Sequence, residues 1–305
     1  MTTAPHPLAA VAEVADGVHA YVQDPGGWCV SNAGIVTGDQ GAVVIDTLAT
    51  RSRAEALRAA VDRVSAGPRR VLVNTHHHGD HVFGNDVFEP TAVVVAHENA
   101  VDELVETGLA LTALWPEVAW GDPRLVLPTI TFDDRIALRI GERRLELIHV
   151  GPAHTSNDVV VWLPEDRVLF AGDVLMSGCT PFSLMGSVAG TLAAIERLAR
   201  LDPVTVVCGH GPVAGPEVLE ANATYLRWIQ DLAAAGRAAG CTPLQTARAT
   251  PLGEYGELLD PERIVGNLHR AFAELDPDGR SAVDVPHVFE EMITYNGGRR
   301  PTCLA

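Results

Sequence analysis

The residues His76, His77, His78, Gly79, Asp80 and His81 crowd four imidazoles and a carboxylate into one short stretch. Within it lies the pattern His-x-His-x-Asp-His. Imidazole and carboxylate are borderline-to-hard donors that suit zinc, manganese and iron. Histidine runs also occur as exposed loops or terminal tags, but this one is internal and follows the apolar run Val71–Val73 directly. Past a strand end, His76 and His78 can point the same way, while Asp80 and His81 turn toward a second point nearby. Three further candidates follow: His154 in Gly-Pro-Ala-His-Thr, Asp173 in Phe-Ala-Gly-Asp and His210 in Cys-Gly-His-Gly. Singly, each reads as a loop or cap residue. In each case an apolar strand delivers a polar side chain into a glycine-bearing loop, which is how α/β folds place ligands.

The elements that must position these residues are legible as short apolar runs between turns. Val18–Val22, Ala33–Val36 and Ala42–Ile45 read as strands, with Gly38 to Gly41 as a hairpin turn. Ser52-Arg53-Ala54-Glu55 reads as a capping box opening a helix that Gly67-Pro68 ends. Strands at Val71–Val73 and Ala92–Val95 flank the histidine cluster, and Val101–Leu114 reads as one helix. Strand patterns return at Ile136–Ile140, Leu145–Val150, Val159–Leu163, Val168–Phe170 and Val204–Val207, with a helix at Leu192–Leu201. After Pro216 only helical patterns remain, at Glu217–Ala239 and Pro261–Glu274. The order predicts an α/β layered core over residues 1–215 and a C-terminal helical extension over 216–305, packed on the core. The first six residues read as disordered. Asp276-Pro277-Asp278-Gly279 reads as a turn, because its glycine and its missing glutamate fail the calcium-loop pattern.

Composition narrows the function classes. Of 305 residues 47% are hydrophobic and 20% charged, ordinary for a soluble globular chain. The net charge of −17 makes a poor nucleic-acid binder and a poor ligand for an anionic membrane. Five widely spaced cysteines, an odd number without a Cys-x-x-Cys, argue against a disulfide framework and for reduced thiols in a cytoplasm. Met1–Pro7 lacks a signal-peptide pattern, and no apolar run is long enough to span a bilayer.

From about Val11 to Pro216 the chain resembles the metallo-β-lactamase-fold superfamily, with all of its metal-binding motifs present in order. The resemblance implies an αββα sandwich carrying the C-terminal helices as an appendage. It implies two divalent metal ions, zinc above all: His76, His78 and His154 holding the first, Asp80, His81 and His210 the second, with Asp173 bridging. Asp46, ending the run Val43–Ile45, matches the superfamily's early structural aspartate and would support the metal loop from behind. His77 occupies a variable position and would not be a ligand. The aspartate at position 173 resembles glyoxalase II and its relatives rather than the β-lactamases, so penicillin cleavage is not expected.

Two metals sharing a water lower its pKa toward neutrality. The expected reaction is attack of hydroxide on an ester or thioester carbonyl, with Asp80 as both ligand and acid/base group. The rivals are a mononuclear iron persulfide dioxygenase, which a filled second site disfavours, a nuclease or phosphodiesterase, which the acidity disfavours, a lactonase, and a metal module without catalysis. Trp28 and Cys29 precede the second hairpin strand where the superfamily's first hairpin borders the active site. That segment, with Ile264–Arg270, resembles the branch that includes aromatic-polyketide cyclase/thioesterases. Met176, Phe182 and the rest of Met176–Met185 are expected pocket walls, as are Tyr225 and Trp228. The expected partner is a small-molecule or carrier-protein-bound acyl substrate, which Arg51, Arg53 and Arg58 would help to dock if they are not merely a solvated helix face. No nucleic acid or membrane partner is expected, and the oligomeric state is open.

Overall fold

The computed structural model describes residues 9–276 and 283–305. The readings of a disordered start and of a turn after Asp276 fall outside those residues.

Strands β1 (Ala10–Ala15), β2 (Val18–Val22), β3 (Ala33–Gly38) and β4 (Gly41–Ile45) form an antiparallel meander. Helix α1 (Arg51–Val64) returns the chain so that β5 (Arg69–Val73) lies parallel to β4. Two helical turns, α2 (Gly79–Val82) and α3 (Asn85–Phe88), precede β6 (Ala92–His97). Helices α4 (Asn99–Thr107) and α5 (Leu111–Leu114) lead to β7 (Ile130–Phe132), which completes a seven-stranded sheet in sequence order. The second sheet has five strands, β8 (Arg135–Ile140), β9 (Arg143–His149), β10 (Val159–Leu163), β11 (Val168–Met176) and β12 (Thr205–His210), with helix α6 (Val188–Ala199) crossing between the last two. From there every regular element among the described residues is helical: α7 (Glu217–Ala238), α8 (Pro243–Ala249), α9 (Arg263–Glu274) and α10 (Val285–Tyr295), with one 3₁₀ turn at Gly253–Glu257.

Side-chain alternation explains the layering. In β4, Val43 and Ile45 face the second sheet while Val44 faces α1. In β10, Val161 and Leu163 face the first sheet while Val160 and Trp162 join the helical side. The middle strands are buried on both faces, so their sequences run continuously apolar rather than alternating. The architecture is therefore helix, sheet, sheet, helix, as expected, with the C-terminal helices joining the outer face of the second sheet. All five cysteines are free, and no helix among the described residues is long and apolar enough to cross a membrane.

Several local expectations need correction. Helix α1 starts at Arg51 behind Thr50, whose side chain makes no cap bond, so Ser52–Glu55 is not a capping box. The helix read over Val101–Leu114 is two helices, separated at Gly108, which has φ of 53°. Strand β11 runs on through Asp173 to Met176. The sequence reading missed β1, α8 and α10.

Candidate metal centre

Five chain segments converge at one end of the two sheets. The loop after β5 supplies His76 and His78, and the turn of α2 supplies Asp80 and His81. The loop between β9 and β10 supplies His154, β11 supplies Asp173 and the last residue of β12 is His210. Fully buried imidazoles and carboxylates cost free energy unless they bond to something, so the partners of each nitrogen define the site.

The outward nitrogens of His76, His81, His154 and His210 are spent on the protein, whereas that of His78, Nε2, has no hydrogen-bond partner. His154 Nδ1 donates to the Phe182 carbonyl at 2.5 Å. His210 Nδ1 donates to the Gly26 and Gly27 carbonyls at 3.0 and 3.1 Å. His81 Nδ1 donates to Asp46 Oδ2 at 2.7 Å. Asp46 also accepts from the Thr75 amide and hydroxyl, both at 2.8 Å, and that hydroxyl lies 3.0 Å from His76 Nδ1. Because Thr75 Oγ1 donates to Asp46, it accepts from His76. Each bond turns Nε2 inward, where it can offer a lone pair to a cation once any proton it carries is lost.

Those inward atoms crowd together. His78 Nδ1 stands 3.0 Å from His76 Nε2 and 2.9 Å from His154 Nε2. Ligand nitrogens of a tetrahedral zinc bound at about 2.0–2.1 Å stand roughly 3.3 Å apart, close to this spacing. Asp80 Oδ2 lies 3.3 Å from His210 Nε2 and 3.8 Å from His81 Nε2. Asp173 spans both groups: Oδ2 is 3.4 Å from His154 Nε2 and from His210 Nε2, and Oδ1 is 3.1 Å from His81 Nε2. Asp173 Oδ1 and His81 Nε2 are buried yet have no hydrogen-bond partner. The donor atoms of His76, His78, His154 and Asp173 lie within 4.8 Å of one another, as do those of Asp80, His81 and His210. This donor set fits two adjacent divalent cations, each with three nitrogen or oxygen ligands of its own and a shared carboxylate. Gly209 makes the approach possible, because a Cβ there would stand 1.9 Å from Asp173 Oδ1.

The electrostatics agree with that donor set. Burial, helped by neighbouring imidazoles, pushes His76 and His78 well below the usual histidine range. Burial also opposes charge on His81 and His210, but Asp173 and the other carboxylates outweigh it, raising His81 well up and His210 to about 9. Burial would raise Asp173, yet His210, His81 and His154 hold it well below the carboxylate range. The carboxylate half thus holds protons that a bound cation would displace.

His77 stays outside both groups. Its Nδ1 accepts from Asn157 Nδ2 at 2.9 Å, and its Nε2 lies 3.7 Å from Glu103. Burial lowers it to about 4, so it is neutral at pH 7.

A cavity of about 450 Å³ opens onto the centre, and Trp28, Cys29, Met176, Phe182 and Met185 line it. The expected walls Tyr225 and Trp228 do not. Tyr225 packs inward against Asn267 and its ring meets Trp228 at a tilt and Tyr255 edge-on, so the helix α7 face that carries them meets other helical elements. The walls that sequence reading missed come from α5 (Leu111, Leu114) and α10 (Val285, Phe289, Ile293). Trp28 sits at the junction of these walls, 5.2–5.7 Å from the rings of Phe182, Trp115 and Phe289, with the Arg263 guanidinium 4.3 Å from its own ring centre. Its indole N–H donates to Glu262 at 2.8 Å. Cys29 is buried beside it, its thiol pushed well up by burial and by the neighbouring Cys303 and Asp80.

The family model of the metallo-beta-lactamase superfamily matches residues 26–210, more than half of the chain and every segment that feeds the centre. The chain belongs to the metallo-beta-lactamase superfamily. Among its relatives, a linear primary-alkylsulfatase from Pseudomonas is 24% identical over 89% of this chain and 62% of its own. A hydroxyacylglutathione hydrolase from Methylococcus capsulatus is 31% identical over 56% of this chain and 62% of its own. An acyl-coenzyme A thioesterase from Bos taurus is 29% identical over 62% and 76%. The chain thus spans about three fifths of the length of the first two. A solved metallo-beta-lactamase from Pontibacter korlensis superposes with a TM-score of 0.61 at 24% identity, covering 72% of this chain and 99% of that one, which shows the shared fold.

Proposed function

We propose that the protein is a dinuclear metal-dependent hydrolase acting on the carbonyl of an apolar acyl thioester or ester. The observation that carries this reading is the set of inward-facing Nε2 atoms of His76, His154, His81 and His210, each oriented by a bond to the outward nitrogen, beside Asp173 and an apolar cavity.

Two divalent cations held by those side chains, most naturally zinc, would supply an acidified water and polarise the substrate carbonyl. The remaining work falls to the protein. The Asp80 carboxylate reaches the cavity and takes up the proton released as water adds to the carbonyl. The hydrogen bonds to Asp46 and to the Gly26 and Gly27 carbonyls keep His81 and His210 oriented. Leu111, Leu114, Met185, Phe289 and Ile293 seat the acyl group and keep bulk water off it. A thiolate leaves without needing a proton, so the leaving group asks for no acid besides Asp80. Two relatives named for thioester substrates, the hydroxyacylglutathione hydrolase and the acyl-coenzyme A thioesterase, support the same bond.

Aromatic or β-keto acyl groups fit the planar, aromatic-rich walls around Trp28 and Phe182. A carrier protein gains nothing from helix α1. Arg51 pairs with Asp86, Arg53 bonds Gln23 and the Leu304 carbonyl, and Arg58 bonds the Val87 carbonyl. A free small thioester is therefore the favoured form.

A second reading is hydrolysis of a long-chain sulfate ester, because the alkylsulfatase match extends over 89% of the chain and the cavity suits an alkyl tail. The deciding experiment pairs metal analysis with matched thioester, lactone, alkyl sulfate and bis-phosphodiester substrates. We expect two equivalents of metal, thioester turnover and inactivity on the phosphodiester. One equivalent of iron with persulfide consumption, or preference for a phosphorus or sulfur ester by orders of magnitude, refutes the carbonyl reading.

A further inference from the structure

Helix α9 presents Arg263, Asn267 and Arg270, spaced four and three residues apart, on one face. All three side chains bond to a single irregular segment, residues 180–184. Arg263 Nη1 donates to the Thr180 carbonyl at 3.0 Å and Asn267 Nδ2 to the Pro181 carbonyl at 2.7 Å. Asn267 Oδ1 accepts from the Ser183 amide at 2.9 Å, and Arg270 Nε donates to the Leu184 carbonyl at 2.9 Å. Buried backbone without sheet or helix partners needs such donors and acceptors.

Two carbonyls in the segment are spent elsewhere: that of Ser183 on the Gly186 amide, and that of Phe182, which accepts from His154 Nδ1. Asn267 is fully buried and Arg263 is 2% exposed, so neither is a surface ornament. Between them Gly266 lets the helix close on Phe182, since a Cβ there would lie 2.6 Å from the ring. Arg263 is held in turn by Asp260 at 3.0 Å and lies over Trp28.

We propose that this face of α9 is a positioning element for His154, setting where the Phe182 carbonyl stands and hence how tightly the three-histidine half of the centre holds its metal. The inference rests on the reading of His154 as a ligand. The alternative is ordinary helix packing, in which α9 affects the centre only through overall stability. The two differ in selectivity: in the clamp Asn267 holds the segment that carries the partner of His154, whereas His81 and His210 take their partners from Asp46, Gly26 and Gly27.

The test uses the full-length chain carrying Asn267→Ala, Asn267→Asp or Leu268→Ala. Leu268 is fully buried on the same helix but bonds to nothing in the segment. Zn²⁺ affinity is read by competition with a chromophoric chelator, site geometry from the visible spectrum of the Co²⁺ form, and stability from the Tm of metal-free protein. Outer partners of metal-binding histidines typically contribute about 10–100-fold in affinity. We expect Asn267→Ala to weaken by roughly tenfold or more the same equivalent that His154→Ala removes, and to alter its Co²⁺ bands. Asn267→Asp keeps the acceptor for Ser183 but loses the donor to Pro181, and falls between; it carries the test if the alanine variant is not recovered folded. Leu268→Ala lowers Tm yet leaves both affinities unchanged. Affinity that tracks Tm across all three variants, or an unchanged Asn267 variant, overturns the clamp. A wild-type chain that takes up no metal overturns the proposed function, and the clamp falls with it.

Discussion

The two halves of the centre are alike in chemistry and unlike in support. His81 and His210 lean on residues that precede the histidine cluster: a single carboxylate, Asp46, and two loop carbonyls, Gly26 and Gly27. His154 leans on a carbonyl whose own place depends on a helix that follows every candidate ligand in the chain. Asp46 supports His81 directly and His76 through Thr75, so it serves both halves, and His154 alone takes its partner from a segment braced by a later helix. That bracing is shared with the cavity wall, so the wall and His154 must vary together.

The largest expected effect comes from Asp80→Asn, which keeps the shape but abolishes the proton acceptor. Turnover should fall by about 10²–10⁴-fold, while the three-histidine half keeps its metal in elemental analysis. Wild-type turnover would remove Asp80 from the chemistry. Asp46→Asn isolates the other support. It should weaken by about 10–100-fold the equivalent that His81→Ala removes, where Asp46 bonds the ligand directly, and weaken less the equivalent that His154→Ala removes, where Asp46 acts on His76 only through Thr75. Equal weakening of both equivalents would erase the distinction between the halves.

A third change tests the shared wall. Phe289→Ala on α10 widens the cavity beside Trp28 without touching any ligand. KM for aromatic thioesters should rise about 10-fold, the order expected for losing part of an apolar contact of roughly 1–3 kcal/mol, with metal content unchanged in elemental analysis.

His77→Ala should change least, leaving turnover and metal content within about 2-fold because His77 lies outside both ligand groups. It should instead change the acid response. With a folded-state value near 4, against about 6.5 for an exposed imidazole, His77 takes up its proton more readily in the unfolded chain. Stability therefore falls as pH drops from about 6.5 toward 4. Removing His77 should make that slope shallower by close to one proton in denaturant titrations of metal-free protein. An unchanged slope would mean that the ring is not held neutral.

The sequence was informative wherever a residue type has few alternative uses. Three histidines and a carboxylate within six residues beyond an apolar strand have little to do but bind a cation, and Asp46 was legible only through the resemblance to the superfamily. The central strands were legible because burial on both faces makes their runs continuous. Edge strand β1, with its half-exposed Ala-Val-Ala-Glu-Val-Ala pattern, offers no such run. Helix α8 has only seven residues, and α10 hides its start in Asp284, whose side chain caps the His287 amide. Tyr225 and Trp228 were misplaced because an aromatic side chain announces burial but not which neighbour it is buried against. Asn267 was opaque for a related reason: its partners are backbone groups some eighty-five residues earlier, and a main chain carries no sequence signal.

The late position of α9 gives the centre a history as well as a shape. All seven candidate ligands leave the ribosome before α9 does, the last of them, His210, about fifty residues ahead of Arg263. At about 5–20 residues per second, the nascent chain spends several seconds with Asp46 available to His81 and, through Thr75, to His76, while the helix that braces the partner of His154 is still to come. The order of synthesis therefore leaves His154 the last of the seven to gain its support.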